Sequence, residues 1–189
     1  MIMREFIYFS TQAKTTGNVK DIMTGRLDIA CHFIIHSFFI SNQIRDDVKV
    51  HLFFYGPPDP VKHLEIGPGA PISKKDLFNL IKGMLFKYKK NKRFEAFPDC
   101  FIEKKGLLEY IKDNPGNYFI LDGKGDNVRD VFLEGIDNPR VILGDHKGLP
   151  KKEKKRIMSV AKPVSLGKKT YFASQSVNIV NYELDFLEN

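Results

Sequence analysis

Tryptophan is absent from these 189 residues, and cysteine occurs only twice, at Cys31 and Cys100. Two thiols cannot build the disulfide framework of a small secreted domain, and further sulfur or nitrogen ligands at the close spacing of a zinc site are missing. Both cysteines are expected to be buried and reduced. Long hydrophobic runs are lacking too: the longest apolar stretch is interrupted by His32, His36 and Ser37, which excludes a transmembrane helix, and no N-terminal signal pattern appears. A cytoplasmic protein with no membrane partner is the expectation. With no low-complexity linker, residues 1–189 are read as a single domain. Three missing motifs narrow the chemistry. There is no G-x-x-x-x-G-K-[ST] phosphate loop, no G-x-G-x-x-G opening a helix, and no G-x-S-x-G elbow, so the sequence offers no motif for a nucleoside triphosphate, dinucleotide or serine-triad site.

What is present describes a globular chain with a polyanionic partner. Hydrophobic residues make up 42% and charged residues 28%, enough for a core and far from a disordered profile. Phe outnumbers Tyr by 16 to 7, so most aromatic surface has no polar handle and belongs inside. The net charge is +7, which favours nucleic acid or another anionic surface. The excess sits in two blocks, residues 71–110 with 10 basic against 5 acidic, and residues 141–189 with 9 against 5.

The pattern along the chain alternates strands and helices. Ile2 to Phe9 has the apolar density of a strand, and from Arg26 to Ile40 the residues Leu27, Ala30, Cys31, Ile34, Ile35, Phe38 and Phe39 follow helical spacing, with Asp28 in the first turn, where the helix dipole favours a carboxylate. Val48 to Tyr55 and Val61 to Ile66 read as strands and potential neighbours. Ser73 is the expected N-cap of a helix running through Leu77, Leu80, Ile81, Met84 and Leu85, whose end is basic from Lys87 to Arg93. Leu107, Leu108 and Ile111 suggest another helix, while Phe94 to Phe101 has no clear period. Three short strands then each run into a glycine turn: Tyr118 to Leu121 into Gly123 and Gly125, Arg140 to Leu143 into Gly144 and Gly148, Pro163 to Leu166 into Gly167. A last helix spans about Ser174 to Leu187. This is an α/β sheet, with a ligand expected at the carboxyl edge of its strands.

Two clusters invite chemistry, and each has a plain structural alternative. Glycines in the turn from Gly144 to Gly148 let backbone amides approach a ligand, with Asp145 or His146 adding a polar contact; the alternative is a simple strand-to-helix turn. Lys151, Lys152, Lys154, Lys155 and Arg156 directly after it form either a solvated helix face or a field that draws a nucleic acid toward the turn. His32 and His36 have helical spacing, but with neither an intervening Glu nor a third acidic ligand they are read as partly buried, hydrogen-bonded imidazoles, and no metal is assigned.

The motifs resemble a known family. Arg26, Leu27, Asp28 and Ile29; Phe39 to Val48, with Ser41, Asn42, Gln43, Ile44, Arg45, Asp46 and Asp47 between; Val141 to His146; and Val164, Ser165, Leu166 and Gly167 with Ala173, Ser174, Gln175, Asn181, Glu183, Leu184 and Asp185 are similar in order and type to the TrmY family. Its members are S-adenosylmethionine-dependent tRNA pseudouridine N1-methyltransferases of the SPOUT superfamily. The likeness is weakest between about Gly67 and Asn117.

The resemblance implies a SPOUT-type α/β fold, a mostly parallel sheet flanked by helices with a C-terminal deep trefoil knot over approximately 117–189, and a homodimer. It implies S-adenosyl-L-methionine as methyl donor, held by Leu121, Gly144, Leu166, Gly167, Lys168, Lys169, Thr170, Tyr171 and Ser176. The implied reaction is N1-methylation of pseudouridine 54 in the tRNA T-loop. Methyl transfer needs the N1 proton removed, so Asp28 is the candidate base or orienting group. Arg26, Arg45, Lys151 and Lys152 are candidate RNA contacts, Arg26 and Arg45 either binding phosphate or stabilising negative charge on the uracil ring. The alternative for Arg26 and Asp28 is a structural ion pair at the helix start. Ser176, Asn42 and Lys168 stand where the family commonly has Cys, His and Pro. Two other readings remain: the same chemistry on ribosomal RNA, and a SPOUT RNA-binding module without activity.

Overall fold

Strand β1 (Arg4–Ser10) is buried at every residue, as a central strand covered on both faces must be. Its period of two divides the core: Phe6 and Tyr8 join one apolar cluster, Ile7 and Phe9 the other. The computed structural model describes residues 2–188. After a short 3-10 turn (Thr24–Arg26) come α1 (Leu27–Phe38), the two-residue strands β2 (Phe39–Ile40) and β3 (Gln43–Ile44), then β4 (Val48–Phe54) and β5 (Lys62–Ile66). These are followed by α2 (Leu77–Phe86), β6 (Phe94–Phe97), β7 (Cys100–Glu103) and α3 (Leu107–Asp113). The remainder is β8 (Tyr118–Asn127), α4 (Val128–Leu133), β9 (Arg140–Gly144), α5 (Lys151–Ile157), β10 (Lys162–Ser165) and α6 (Ala173–Leu187).

One eight-stranded sheet takes strands from the whole chain, in the order β10-β8-β9-β1-β4-β5-β7-β6. The five strands from β10 to β4 are parallel, and β5, β7 and β6 continue antiparallel. Helices α1, α2, α4 and α6 bury their apolar residues in one cluster, α3 and α5 in the other, giving three layers. The carboxyl ends of the parallel strands, at Ser10, Phe54, Gly144 and Ser165, share one edge. The α/β expectation with a mostly parallel sheet holds.

Strand β10 meets β8 in two pieces. Lys162 and Pro163 lie opposite Phe119 and Ile120, and Val164 and Ser165 opposite Asp126 and Asn127. Residues 121–125 are thereby pushed out of the ladder, and β10 passes so close beneath them that a Cβ on Gly125 would stand 2.5 Å from the Pro163 carbonyl carbon.

Several boundaries differ from the sequence reading. The helix over 26–40 is shorter at both ends, because Arg26 takes a left-handed conformation and Phe39 an extended one. The N-cap of α2 is Asp76, not Ser73; the Ser73 carbonyl instead accepts the Asp76 N–H at 2.9 Å in the turn before the helix. On α6, Val177, Val180 and Leu184 are buried within the chain. Cys31 and Cys100 are free and buried, and burial pushes both thiols up to about 12. Among the described residues no helix is long and apolar enough to cross a membrane.

Candidate active site at the carboxyl edge of the parallel strands

Gly144 ends β9 and opens a tight turn. The Asp145 N–H donates to the Phe9 carbonyl at 3.0 Å, and the Gly148 N–H donates back to the Asp145 carbonyl at 2.8 Å. The buried Asp145 carboxylate accepts from the Ser10 hydroxyl at 2.9 Å and from the Lys147 N–H at 2.8 Å. The turn is therefore fastened to the end of β1, and Asp145 is a structural anchor of its floor. Gly144 is required there because a Cβ would lie 2.5 Å from the carbonyl carbon of Gly148.

Three loops converge on this turn to form a cleft of about 960 Å³, within the range of small-molecule sites. The 121–125 bulge contributes Leu121, the β9 turn contributes Gly144, and the loop after β10 contributes Leu166, Gly167, Lys168, Lys169, Thr170 and Tyr171, with Ser176 from the first turn of α6. All nine residues proposed to hold the donor thus share one cleft. Gly167 has φ +101° and open space where a side chain would point. Lys154 of α5 pairs with Asp122 and joins the first loop to the second; that hydrogen bond, chiefly, holds the Asp122 carboxyl below its usual range.

Across the cleft stands the start of α1. Arg26, in a left-handed conformation at φ 58°, turns its guanidinium forward onto Asp28. Its Nε and Nη2 donate to the two Asp28 oxygens at 3.0 Å each, the planar bidentate geometry that arginine favours. This hydrogen bonding lowers the Asp28 pKa, so the carboxylate is ionised and a weaker base than a free one. Both residues line the cleft.

The structure does not bring Arg45 there. Its side chain, 11% exposed, donates to Asp185 at the end of α6, with 2.8 Å between Nη1 and Oδ1, beside the buried Arg4 that also binds Asp185 and Asp47. Arg4 begins β1, so this cluster lies at the opposite edge of the sheet from the cleft. Lys151 and Lys152 are exposed at the start of α5, where the chain leaves the cleft. Asn42 sits in the exposed β2–β3 turn at φ 66°, a conformation asparagine tolerates, and outside the cleft.

Two polar features were not anticipated. His32, one turn after Asp28, is exposed and lines the cleft; the expectation of two bonded imidazoles holds only for His36, which lies 2.8 Å from the Asn178 amide. A buried row crosses four neighbouring strands: Glu5 and His51 at 3.0 Å, His51 and His63 at 2.9 Å, His63 and Glu103 at 3.0 Å. His51, His63 and Glu65 also fall close enough to suggest a metal. However, the two rings are in direct hydrogen-bond contact through facing nitrogens, and their other nitrogens are taken by carboxylates, which leaves no ring nitrogen free to coordinate. The signal available in sequence was polar residues at interior positions of adjacent strands, visible only once the strand order is known.

Fold and site together define an α/β protein with a ligand cleft of glycine-bearing loops at the carboxyl edge of parallel strands and a charged pair facing them. Residues 3–188 match the family described as "Putative SAM-dependent RNA methyltransferase", and the chain belongs to that family. Among its relatives, the tRNA (pseudouridine(54)-N(1))-methyltransferase of Thermococcus kodakarensis is 32% identical, with 97% of this chain and 99% of the relative covered. The enzyme of the same name from Methanococcoides burtonii is 31% identical over 97% and 96%. The crystal structure of Archaeoglobus fulgidus Nep1 bound to S-adenosylhomocysteine has the same fold, with a TM-score of 0.70, 14% identity and 99% of each chain covered.

Proposed function

We propose that this chain transfers a methyl group from S-adenosyl-L-methionine to N1 of pseudouridine 54 in tRNA. The observation that carries this reading is the convergence on one cleft of the three glycine-bearing loops and the Arg26–Asp28 pair. The residues fit the donor: Leu121, Leu143 and Leu166 offer apolar surface, and the space over Gly167 is open. Bound S-adenosylmethionine supplies an electrophilic methyl on a positively charged sulfur.

The protein's own part is electrostatic and positional. Pseudouridine keeps a proton on N1, and Asp28, ionised by its bond to Arg26, accepts a hydrogen bond from that N1–H and aims the nitrogen along the cleft. Because its pKa is lowered, Asp28 orients the base rather than retaining the proton, which passes to solvent. Arg26 faces the charge that develops on the ring, and Lys151 and Lys152 draw the RNA backbone toward the rim. Arg45, tied to Asp185, has no part in this reading. The departure at Asn42 lies away from the cleft and gives no reason to expect lost activity.

The protein is further read as a homodimeric cytoplasmic enzyme of one domain with a trefoil knot over about 117–189. Supporting the knot is the passage of β10 beneath the 121–125 bulge. Supporting the dimer is a stripe on the outer face of α6, where Ile179 is partly exposed and Tyr182 and Phe186 are each 60% exposed. A Phe186→Glu variant should sediment as a monomer where the parent sediments as a dimer, and a monomeric parent at micromolar concentration would remove the dimer.

The test of function is methylation of tRNA carrying either pseudouridine or uridine at position 54, read by nucleoside mass spectrometry. N1-methylpseudouridine should form only from the first, since uridine has no free N1. Methylation of ribosomal RNA fragments but not tRNA, or absence of donor binding by calorimetry, would overturn the reading.

A further inference from the structure

The basic block between α2 and β6 has no part in the site described so far. From Leu77 to Phe94 there are six basic residues and no acidic one. Arg93 is held by Glu65, and the Lys87 amine donates to the Ala96 carbonyl, but Lys82, Lys89, Lys90 and Lys92 make no ion pair among the described residues. Lys89, Lys90 and Lys92 are exposed. Two acids of this part of the sheet are already paired, Glu65 with Lys49 and Arg93, and Asp59 with Lys62 and Lys104.

Aromatic rings alternate with these charges. Phe86 is 62% exposed, Lys89 sits 4.0 Å from the centre of the partly buried Phe94 ring, and the Arg93 guanidinium lies 3.7 Å from Phe101. Unpaired cations beside one exposed and two half-buried rings are what a nucleic-acid strand engages, phosphates on the charges and bases on the accessible ring faces.

The position is as informative as the composition. Phe94 of β6 pairs with Ile102 near the end of β7, whose Glu103 lies opposite His63 at the start of β5, which in turn neighbours the end of β4. The turn therefore opens at the same edge of the sheet as the cleft. Five strand spacings separate β9 from β6, roughly 24 Å. The loop from β1 to α1 bridges the gap: it packs its Gly17 against Phe86 and ends at Arg26 in the cleft, and it carries Lys14 and the exposed Lys20, neither in an ion pair among the described residues.

We infer that the turn from Lys87 to Arg93, with Lys82, is a second RNA-docking surface that holds sugar-phosphate backbone remote from the target base. This rests on the RNA-substrate reading above. It places the RNA along the whole carboxyl edge, one end fixed at the cleft and the other on this turn, and an RNA engaged at both is bound more tightly than at either alone.

The experiment replaces Lys89, Lys90 and Lys92 together with Ala, and in a companion variant with Arg. For the Ala variant, KM for tRNA should rise on the order of tenfold, and the slope of log affinity against log salt should shrink by about two to three. Turnover at saturating tRNA and calorimetric affinity for S-adenosylmethionine should match the parent, and the Arg variant should restore both RNA measures. Parent-like KM and salt slope in the Ala variant would overturn the proposal. So would loss of binding to anionic phosphatidylserine vesicles with tRNA affinity unchanged, which would make the surface a membrane contact. If the parent methylates no tRNA, the functional reading fails by itself, and fluorescence anisotropy with labelled tRNA still decides whether the turn binds RNA.

Discussion

Replacing Gly167 with Ala separates a ligand contact from a folding requirement, because Gly144 offers the opposite case in the same cleft. At Gly167 the backbone has φ +101°, and an added Cβ meets nothing within 4 Å. The protein therefore loses only the conformational part, roughly 1–3 kcal/mol for an L-residue held in that region. At about 2–4 °C per kcal/mol for a chain of this size, the melting temperature should fall by about 2–12 °C and folding should survive. The methyl points into the open cleft. If the donor fills that space, an intruding methyl should cost about 1–3 kcal/mol, or roughly 5- to 150-fold in Kd. At Gly144 the clash is with the backbone of Gly148, at 2.5 and 2.7 Å, and no side chain can swing away. Gly144→Ala must open the 145–148 turn and disturb the hydrogen bonds that fasten it to β1, so its main loss should be stability. Calorimetric titration with S-adenosylmethionine and thermal unfolding of both variants give the answer. Parent-like Kd in Gly167→Ala would show that the donor does not sit over that loop. A Gly144→Ala protein as stable as the parent would refute the turn argument.

Local chemistry carried the sequence reading where it succeeded. Of the residues picked out by helical spacing, Leu27, Ala30, Cys31, Ile34 and Phe38 are buried on α1 and Ile35 is half-buried, while Phe33 and Ser37 are buried without having been picked out. Each glycine turn lies where the apolar run of a parallel strand ends, because a strand covered on both faces must be apolar and its exit must bend. Non-local pairing defeated it elsewhere. Phe94 to Glu103 is a hairpin of two four-residue strands, too short to display a period, turning at Asp99 with φ 54°. Strand β8 runs on past Leu121 because Asp126 and Asn127 pair with β10, and that pairing depends on residues some forty positions later. The family resemblance puts Arg45 among the candidate RNA contacts, but in the fold its guanidinium is bonded to a distant carboxylate. Its true partner, Asp185, is 140 residues away. The candidate site was more legible than its supports, since the residues that line it cluster in short motifs whereas the ion pairs that hold the elements together join distant segments.

Three further outcomes follow from the electrostatics. Asp28→Asn should lower turnover and leave the donor Kd unchanged, with at most about 1 kcal/mol of stability lost because its ion pair is solvent-facing; an active but much less stable variant would make Asp28 a structural partner only. Arg45→Ala should reduce thermal stability through the Asp185 cluster and leave the salt dependence of tRNA binding as in the parent, and a shallower salt slope would place Arg45 on the RNA. The last concerns acid. Burial, opposed by the hydrogen bond to Glu103, lowers the His63 pKa from 6.5 to about 4. The unfolded chain therefore binds the proton first, so the contribution of His63 is fully present above pH 6.5 and is lost as the pH falls toward 4. Across that window the loss amounts to about 3 kcal/mol. Glu5 extends it. Burial alone would raise its pKa, but the hydrogen bond and charge of His51, aided by Arg140, hold it down at about 2. A depressed carboxylate contributes above its unfolded value near 4.5, and that contribution disappears as the pH drops toward 2. Urea unfolding from pH 7 to 4 should thus show the parent losing stability more steeply than His63→Gln. Parallel pH profiles for the two proteins would mean that the buried row is open to water and that His63 titrates as an ordinary histidine.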